Sequence, residues 1–466
     1  MRVSLILRNQ LIVPILQSTY RHRLESNIRI GLELSDPPGA HRLTAPDPET
    51  ELVLPDTPSR FITGSQCVTE PVQTEIHGYD RVFWLAYLAN GLTTMANAML
   101  VRYADFVDVL GGEERQLGLI VGFGMIGSIV TRLAQGEAID RYGASRVWFW
   151  SSLLYSSSLL LHLTVSTAYG PWIFLVRLLM QASLAGFFGS SITFVALRVP
   201  PHRMAEMVGA LGTSGFIGIM LGPLLGDLLA YGGTTQSKLV WRLFCLAGAF
   251  AWSSALATWF VTRDSVRPQH RRRPNLLHVV ARYHPLVLSI TAAAMGAGFS
   301  IPMIFLRPFA IETKLNGVGL FFFVYASIAF IARLATRAHF SRLGNRLWII
   351  VGLTLLSVSF LCYLPVTREW HLIVPGAIAG IAHALLFPSI MAAGTAAFPR
   401  RYLGVATSLI LAMFDLGAFI GAPVIGAFLR EAKLHTTAAY PLMFTGTSIV
   451  LGLITVLFCC SSAAKK

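Results

Sequence analysis

One carboxylate stands inside a long apolar stretch of this chain. Asp415 is the only charged residue between Arg401 and Arg430. An acid that is buried away from water binds a proton more readily than an exposed acid, because burial penalises the charged form. Asp415 is therefore our candidate proton carrier, and a structural hydrogen bond is the alternative role for it.

Five further polar side chains in apolar stretches are candidates for recognising a polar small molecule. Asn90 and Asn97 are seven residues apart and Arg177 and Gln181 are four apart, so each pair shares one face of a helix. His383 lies near the middle of another apolar stretch. A membrane-buried arginine needs a partner or water, which favours an inward-facing Arg177. The alternatives are interhelical hydrogen bonds for the amides and an Arg177 that reaches the outer membrane surface.

A charged turn between two apolar stretches is the third candidate site. In the segment GEAIDRYGASR, Gly136 and Gly143 are predicted to permit a tight turn. Asp140 can pair with Arg141, with Arg146 or with the positive end of a neighbouring helix. Such contacts would stabilise one state of a gate at the edge of a membrane.

Composition indicates that a lipid bilayer surrounds the elements that position these residues. The chain is 54% hydrophobic and 13% charged, with a mean hydropathy of +0.61. A spanning helix needs about 20 apolar residues, and we count twelve such stretches between Val82 and Cys460. These stretches lack the two-residue alternation of membrane barrel strands. The sequence therefore predicts an all-α membrane protein with twelve transmembrane helices.

The distribution of Lys and Arg predicts the orientation of these helices. If the N-terminus is cytoplasmic, the cytoplasmic connections carry about twice as many basic residues as the outer ones. This asymmetry predicts a multi-pass protein of the inner (cell) membrane with both termini in the cytoplasm. The net charge of +14 is spread over loops on one face and forms no compact basic domain, which argues against nucleic-acid binding.

An internal repeat divides the chain into two halves. Arg132-Leu-Ala recurs as Arg333-Leu-Ala, and the Arg-x-Gly of the charged turn recurs at Arg342 and Gly344, each 201 positions later. Six helices return each copy to its starting side, so the copies have the same topology and are related by an axis along the membrane normal. The second copy has Ser341 at the place of the turn's aspartate, which predicts an asymmetric gate.

The predicted organisation has five segments. A proline-interrupted polar tail, expected to be disordered and cytoplasmic, precedes the first bundle, and a basic cytoplasmic linker separates the bundles. The five cysteines show no metal-ligand spacing, and we expect neither a metal nor another cofactor. The segments are a tail over 1–80, a six-helix bundle over 81–262, the linker over 263–285, a second six-helix bundle over 286–460, and a tail over 461–466.

These features together resemble the major facilitator superfamily. The turn GEAIDRYGASR is similar to that family's signature between helices 2 and 3, and Gly218, Gly222, Pro223 and Gly226 resemble its helix 5 glycine-proline motif, which is associated with antiporters. Close helix packing is the alternative role for these glycines. The resemblance implies that helices 1, 4, 7 and 10 line a central cavity and that helices 2 and 11 face each other across the boundary of the halves. We expect Gly118 and Gly122 on helix 2 and Gly417 and Gly421 on helix 11 to smooth that contact.

The resemblance implies a monomeric secondary transporter that works by alternating access. We expect proton-coupled efflux of a small organic molecule from a cavity lined by aromatics such as Phe305 and Phe309. A symporter or uniporter of a sugar or other metabolite is the nearest alternative. A receptor or scaffold that does not transport is an alternative of another class. An enzyme is not expected, because no catalytic cluster is brought together by the predicted helices.

Overall fold

The computed structural model describes residues 79–199, 203–230, 235–263, 282–336, 340–399 and 402–461, and every regular element in these ranges is helical. Nearly all of the predicted tail over 1–80, most of the linker over 263–285 and nearly all of the tail over 461–466 lie outside the described residues.

Six long helices form the first half of the described chain. A 3-10 turn, Leu100–Arg102, and a short helix, Tyr103–Val109, continue the first of them. The six are α1 (Arg81–Met99), α2 (Glu114–Tyr142), α3 (Ala144–Leu161), α4 (Pro171–Ala196), α5 (Met204–Ala230) and α6 (Gln236–Thr262).

Six long helices also form the second half. We call the end of the bundles where α6 ends and α7 begins the linker side, and the opposite end the far side. The six are α7 (Leu286–Glu312), α8 (Gly319–Thr336), α9 (Phe340–Leu361), α10 (Ile373–Ala396), α11 (Leu403–His435) and α12 (Ala439–Cys460).

Ten of these twelve helices are long and apolar enough to cross a membrane by length and composition alone. The other two are α1 and α3, which carry amides, threonines and serines among their apolar residues. Much of this polarity is satisfied within the bundle: Thr93 hydrogen-bonds Ser254 at 2.7 Å, and Ser156 donates to the carbonyl of Ser152 at 2.8 Å. The first of these bonds joins α1 to α6 and the second lies within α3.

The helix contacts repeat between the two halves. In the first half α1 packs against α5 and α6, and α4 packs against α2 and α3; in the second half α7 packs against α11 and α12, and α10 packs against α8 and α9. Two further contacts join the halves, α2 with α11 and α5 with α8, and the repeat relates these contacts to each other. The fold is the predicted pair of pseudo-symmetric six-helix bundles.

Glycines set the closest helix approaches. A side chain at Gly118 would collide with the backbone of Ala422, so α2 and α11 touch across the boundary of the bundles. The glycines of α11 that we expected to face α2, Gly417 and Gly421, instead pack against α7 at Ala293 and Ala297 within their own bundle. The expectation was right for Gly118 and Gly122 of α2 and wrong for these two glycines, because α11 has two packed faces, one towards each neighbour.

The charged turn and its repeat have the same backbone geometry. Gly143 separates α2 from α3 at φ 91° and ψ 145°, and Gly344 bends α9 at φ 73° and ψ 152°. Both values of φ are in the region that glycine adopts most easily. Gly136, which we expected to help the turn, lies inside helix α2. One glycine is enough here because the chain reverses at a single residue.

Candidate functional site at the boundary of the two bundles

Four charged side chains meet at the far side, where the bundles touch. Asp105 and Arg102 are almost completely buried, with 0% and 1% of their surface exposed. Arg102 donates to Asp105 at 2.7 Å and to Asp227 at 2.8 Å, and Arg307 of α7 donates to Asp105 at 3.0 Å. Because Arg307 belongs to the second bundle and the other three residues to the first, this far-side network crosses the boundary.

Asp227 extends the network to the backbone of the second bundle. Its Oδ2 accepts hydrogen bonds from the backbone N–H groups of Val318 at 2.8 Å and Gly319 at 2.6 Å. These groups begin α8, where helical N–H groups lack partners within the helix and the dipole favours a negative charge. A side chain at Gly317 would collide with Asp227. The end of α5 therefore caps α8 across the boundary.

A second, more exposed set of charges joins α2 and α11 at the far side. Lys433 contacts Glu114 at 2.5 Å and Glu312 at 2.9 Å, and Arg430 contacts Glu113 at 3.5 Å. Half of the Arg430 side chain is exposed, and ion pairs of this kind contribute about 1 kcal/mol or less. These ion pairs therefore contribute little to the stability of the α2–α11 contact.

The predicted proton carrier, Asp415, also lies at the boundary, closer to the linker side. Its Oδ2 accepts hydrogen bonds from Ser128 at 2.6 Å and from Arg132 at 2.5 Å, both on α2. Asp415 is 5% exposed. The acid is therefore both a structural partner, as in the alternative interpretation, and a group whose protonation would change a contact between the bundles.

The predicted cavity residues of the first bundle do not form one polar surface. Asn90 donates to Ser214 of α5 at 2.8 Å, which is the interhelical hydrogen bond of the alternative interpretation. Asn97 is half-buried on α1. Arg177 and Gln181 lie together on α4, and Gln181 donates to the sulfur of Met125 at 3.4 Å. The spacing of Arg177 and Gln181 predicts that they share a helix face. The spacing does not predict the partners of Asn90 and Gln181.

Arg177 is buried inside the first bundle. It is 7% exposed, and its guanidinium lies 4.3 Å from the centre of the Tyr103 ring. Within the described ranges its only hydrogen bond is to the sulfur of Met180 at 3.7 Å, and Nε has no partner. Contact with an aromatic ring offsets part of the cost of a buried guanidinium.

His383 lies in an aromatic cluster at the boundary. Its Nδ1 is hydrogen-bonded to the hydroxyl of Tyr325. The imidazole centre is 4.8 Å from the ring of Phe299, 6.0 Å from that of Phe216 and 5.9 Å from that of Phe387. Phe216 comes from α5 of the first bundle, so rings from both bundles surround this histidine. We call these five residues the aromatic cluster.

The predicted gate residues lie around the turn between α2 and α3 and around its repeat in α9. Asp140 is half-buried at the end of α2, and the guanidinium of Arg141 lies 5.3 Å from the ring of Tyr142. Arg146 is exposed on α3 and lines a surface cavity of about 470 Å³ together with Tyr142. In the second copy the backbone of Arg342 is helical, and its side chain lies outside the described part of the chain.

The helix 5 motif packs inside its own bundle. Side chains at Gly218 or Gly222 would collide with the backbone of Met95 on α1, and Gly226 leaves room for Arg102. Pro223 lies within α5 without ending it. The glycines therefore allow α1 and α5 to approach, and they make the space in which Arg102 reaches Asp227.

Sequence reasoning missed the far-side network and misplaced part of the aromatic lining. Asp105 and Asp227, which are bound by two arginines, were not singled out from the sequence; the one local signal was the i, i+3 spacing of Arg102 and Asp105. Phe305 and Phe309 are core residues, and Phe309 packs on Phe444 of α12 at 5.1 Å. Pairing across the boundary joins residues that are 91 to 202 positions apart in this network, and no local pattern encodes it.

Comparison with known proteins agrees with this architecture. Solved structures with the same fold include the nucleoside transporter NupG, with a TM-score of 0.68 and 15% identity over 81% of this chain and 99% of that one. Another is a bacterial homologue of the human lysosomal transporter Spinster in an inward-facing, unoccupied conformation, with a TM-score of 0.63 and 16% identity over 82% and 96% of the two chains.

Sequence comparison identifies the family. The chain is 24% identical over 364 residues to the multidrug resistance protein MdtG of Salmonella typhi, covering 74% of this chain and 87% of the relative. The family model of the Major Facilitator Superfamily matches residues 83–422 and 288–461. Since these matches span both bundles, the chain belongs to the Major Facilitator Superfamily and is a multi-pass membrane transporter.

Proposed function

We propose that this transporter works by alternating access and exports a small organic molecule in exchange for protons. The observation that carries the proposal is the polar contact across the boundary of the bundles. At the far side, Arg307 binds Asp105 and Asp227 caps α8. Polar links of this kind can break and re-form as a unit, which is what two rigid bundles need if they rock about a central site.

Contacts across the boundary are unequal at the two ends, which supports a state closed at the far side. Side chains added at Gly209 or Gly212, on the linker-side half of α5, would meet no atom within 4 Å. By contrast, Gly118 and Gly426 on the far-side halves of α2 and α11 leave no room for a side chain. In the proposed cycle this conformation receives its ligand from the linker side.

Asp415 supplies the proposed coupling to protons. As a carboxylate it holds Arg132 and Ser128 of the opposite bundle. A proton bound to Asp415 would remove its charge and weaken the ion pair, so that protonation would loosen the α2–α11 contact. Protonation and movement of the bundles would then be linked in one residue.

The direction of transport and the orientation are part of the proposal. The excess of Lys and Arg in the linker-side connections supports a cytoplasmic linker side, with both termini there, in the inner membrane. Export is supported by the name of the similar relative, a multidrug resistance protein, and by the resemblance of Gly218 to Gly226 to the antiporter motif. We propose a monomer, since each chain contains both bundles and the boundary between them.

The test is substrate-driven proton movement in liposomes that contain the purified full chain and a pH-sensitive dye. We expect compounds of a broad panel to change the internal pH in the presence of wild-type protein, and Asp415→Asn to remove that change while compound binding persists. Asp108→Asn, at an exposed acid of the far side, is the matched control and retains the flux.

Each alternative predicts a different result in this assay. Compound movement without proton flux would favour a uniporter, and proton flux in the same direction as the compound would favour a symporter. No movement of any compound would favour a receptor or scaffold. A full proton flux in Asp415→Asn would remove Asp415 as the carrier.

A further inference from the structure

The internal repeat leaves one arginine of a related pair without an acid. Arg132 on α2 and Arg333 on α8 are equivalent positions, and each faces the other bundle. Arg132 is bound by Asp415 of α11. In α5 and α11 the repeat is one residue shorter, since Pro223 and Gly226 recur as Pro423 and Gly426, and the position equivalent to Asp415 is Gly215, which carries no acid.

Arg333 has no counter-ion among the residues that the structure describes. Its Nε and Nη2 are buried and have no hydrogen-bond partner there. The neighbouring connections over 337–339 and 400–401 contain no Asp or Glu that could supply one. A buried guanidinium without a counter-ion is unfavourable, and contact with aromatic rings offsets only part of that cost. The position would be stabilised by any anion that reaches it.

The surroundings of Arg333 indicate what else such an anion must carry. The guanidinium lies 5.1 Å from the ring of Phe216 and 5.8 Å from that of Phe387. Both rings belong to the aromatic cluster, and Phe330 of α8 lies 6.5 Å from Phe216. The cation therefore stands at the edge of a surface built from flat apolar rings of both bundles.

We infer that Arg333 and the aromatic cluster form a binding site for amphipathic organic anions, in which a carboxylate, sulfonate or phosphonate pairs with Arg333 and an aromatic or other apolar body packs on Phe216 and Phe387. A planar guanidinium binds such groups through paired hydrogen bonds. This inference rests on the proposed function, because a ligand held by both bundles at their boundary is in position to be carried when the bundles rock.

The test compares three ligands with the same ring and different charges. They are naphthalene-2-carboxylate, naphthalene-2-carboxamide and 2-naphthylmethylammonium, titrated by calorimetry into the full chain in lipid nanodiscs. We expect the carboxylate to bind at least about tenfold more tightly than the amide, which corresponds to about 1.4 kcal/mol, and the ammonium to bind most weakly.

Variants separate the charge from the rings. Arg333→Gln is expected to reduce carboxylate affinity to that of the amide and to leave amide affinity unchanged. Phe216→Leu is expected to weaken all three ligands by similar factors. Arg115→Gln removes one exposed positive charge at the far side and is the matched control, with carboxylate affinity unchanged.

A stability measurement distinguishes a binding residue from a structural one. Arg333→Gln removes an unpaired charge, so its melting temperature is expected to equal or exceed that of the wild type without ligand. A lower melting temperature would reveal a structural partner of Arg333 and overturn the inference, as would equal ligand affinities, a preference for the ammonium, binding of none of the three, or a carboxylate preference that persists in Arg333→Gln. Those results would leave the liposome assay of proton exchange unaffected.

Discussion

Among single residues, Asp105 is the acid that binds an arginine of each bundle at the far side. It is fully buried between the guanidinium groups of Arg102 and Arg307, one from each bundle. Removal of one partner from a buried ion pair leaves an uncompensated charge, which typically costs about 3–5 kcal/mol. The stability of the far-side contact therefore depends strongly on this one carboxylate.

We expect Asp105→Asn to lower the melting temperature of the purified protein, because the amide keeps the shape of the side chain and removes the charge that both arginines bind. Thermal unfolding in detergent measures this effect. Asp108→Asn, three residues later and exposed, is expected to change the free energy of unfolding by less than about 0.5 kcal/mol. Equal melting temperatures for the two variants would contradict the role assigned to Asp105.

The sequence predicts which single residues are unusual better than it predicts their partners. Asp415 is identifiable because it is an acid within an apolar stretch, and it does lie buried at the boundary. Its partner Arg132 was recognised only as part of the internal repeat. The pair joins residues 283 positions apart, and only the packing of α2 on α11 brings them together.

At the level of helices, the contact between α2 and α11 is set by the lack of a side chain at Gly118. A methyl group there would collide with the backbone carbonyl of Ala422. Backbone cannot move aside as a flexible side chain does, so the two helices would have to separate. The closeness of this approach is therefore specific to glycine.

We expect Gly118→Ala to weaken the far-side closure and to destabilise the protein by about 1–3 kcal/mol. Gly212→Ala is the matched control, because it adds the same methyl group to a helix position with no atom within 4 Å. That substitution is expected to be neutral or stabilising by up to about 1 kcal/mol, since alanine favours the helix. Chemical unfolding of both variants provides the comparison, and a destabilised Gly212→Ala beside an unchanged Gly118→Ala would refute this account.

Helix type and order were predictable, whereas helix faces were not. Long apolar stretches without alternation predict spanning helices, and Gly143 and Gly344 are turn residues because both adopt positive φ. Which neighbour each glycine of α11 faces depends on helix rotation. A rotation of one residue changes the direction of a side chain by about 100°, which explains why Gly417 was assigned to the wrong neighbour.

At the level of the whole molecule, the internal repeat relates the helix contacts at the boundary of the bundles. It does not relate the charged residues at those contacts. The contact of α2 with α11 contains an arginine and an acid, and the related contact of α8 with α5 contains Arg333 and rings. The repeat was visible in the sequence through Arg132 and Arg333. The different environments of these two arginines depend on residues of the opposite bundle, and the repeat in the sequence does not predict them.

The proposed cycle requires the far-side ends of the bundles to separate. In a chain whose five natural cysteines are replaced, Glu113→Cys with Arg430→Cys places one thiol on each bundle at exposed positions. We expect a short reducible cross-linker between them to abolish transport in liposomes and a reductant to restore it. The control is Glu312→Cys with Lys433→Cys, both in the second bundle, which is expected to transport when cross-linked. Transport by the Glu113–Arg430 cross-linked protein would rule out opening at that end.

The far-side network has a consequence for how fast the protein can turn over. Whenever that end opens, water must hydrate Asp105 and its arginines, and the N–H groups that Asp227 capped lose their acceptor. This step involves none of the groups that would touch the cargo. Chemically unrelated compounds should therefore share one maximum transport rate. A weaker far-side network should raise that rate for all of them.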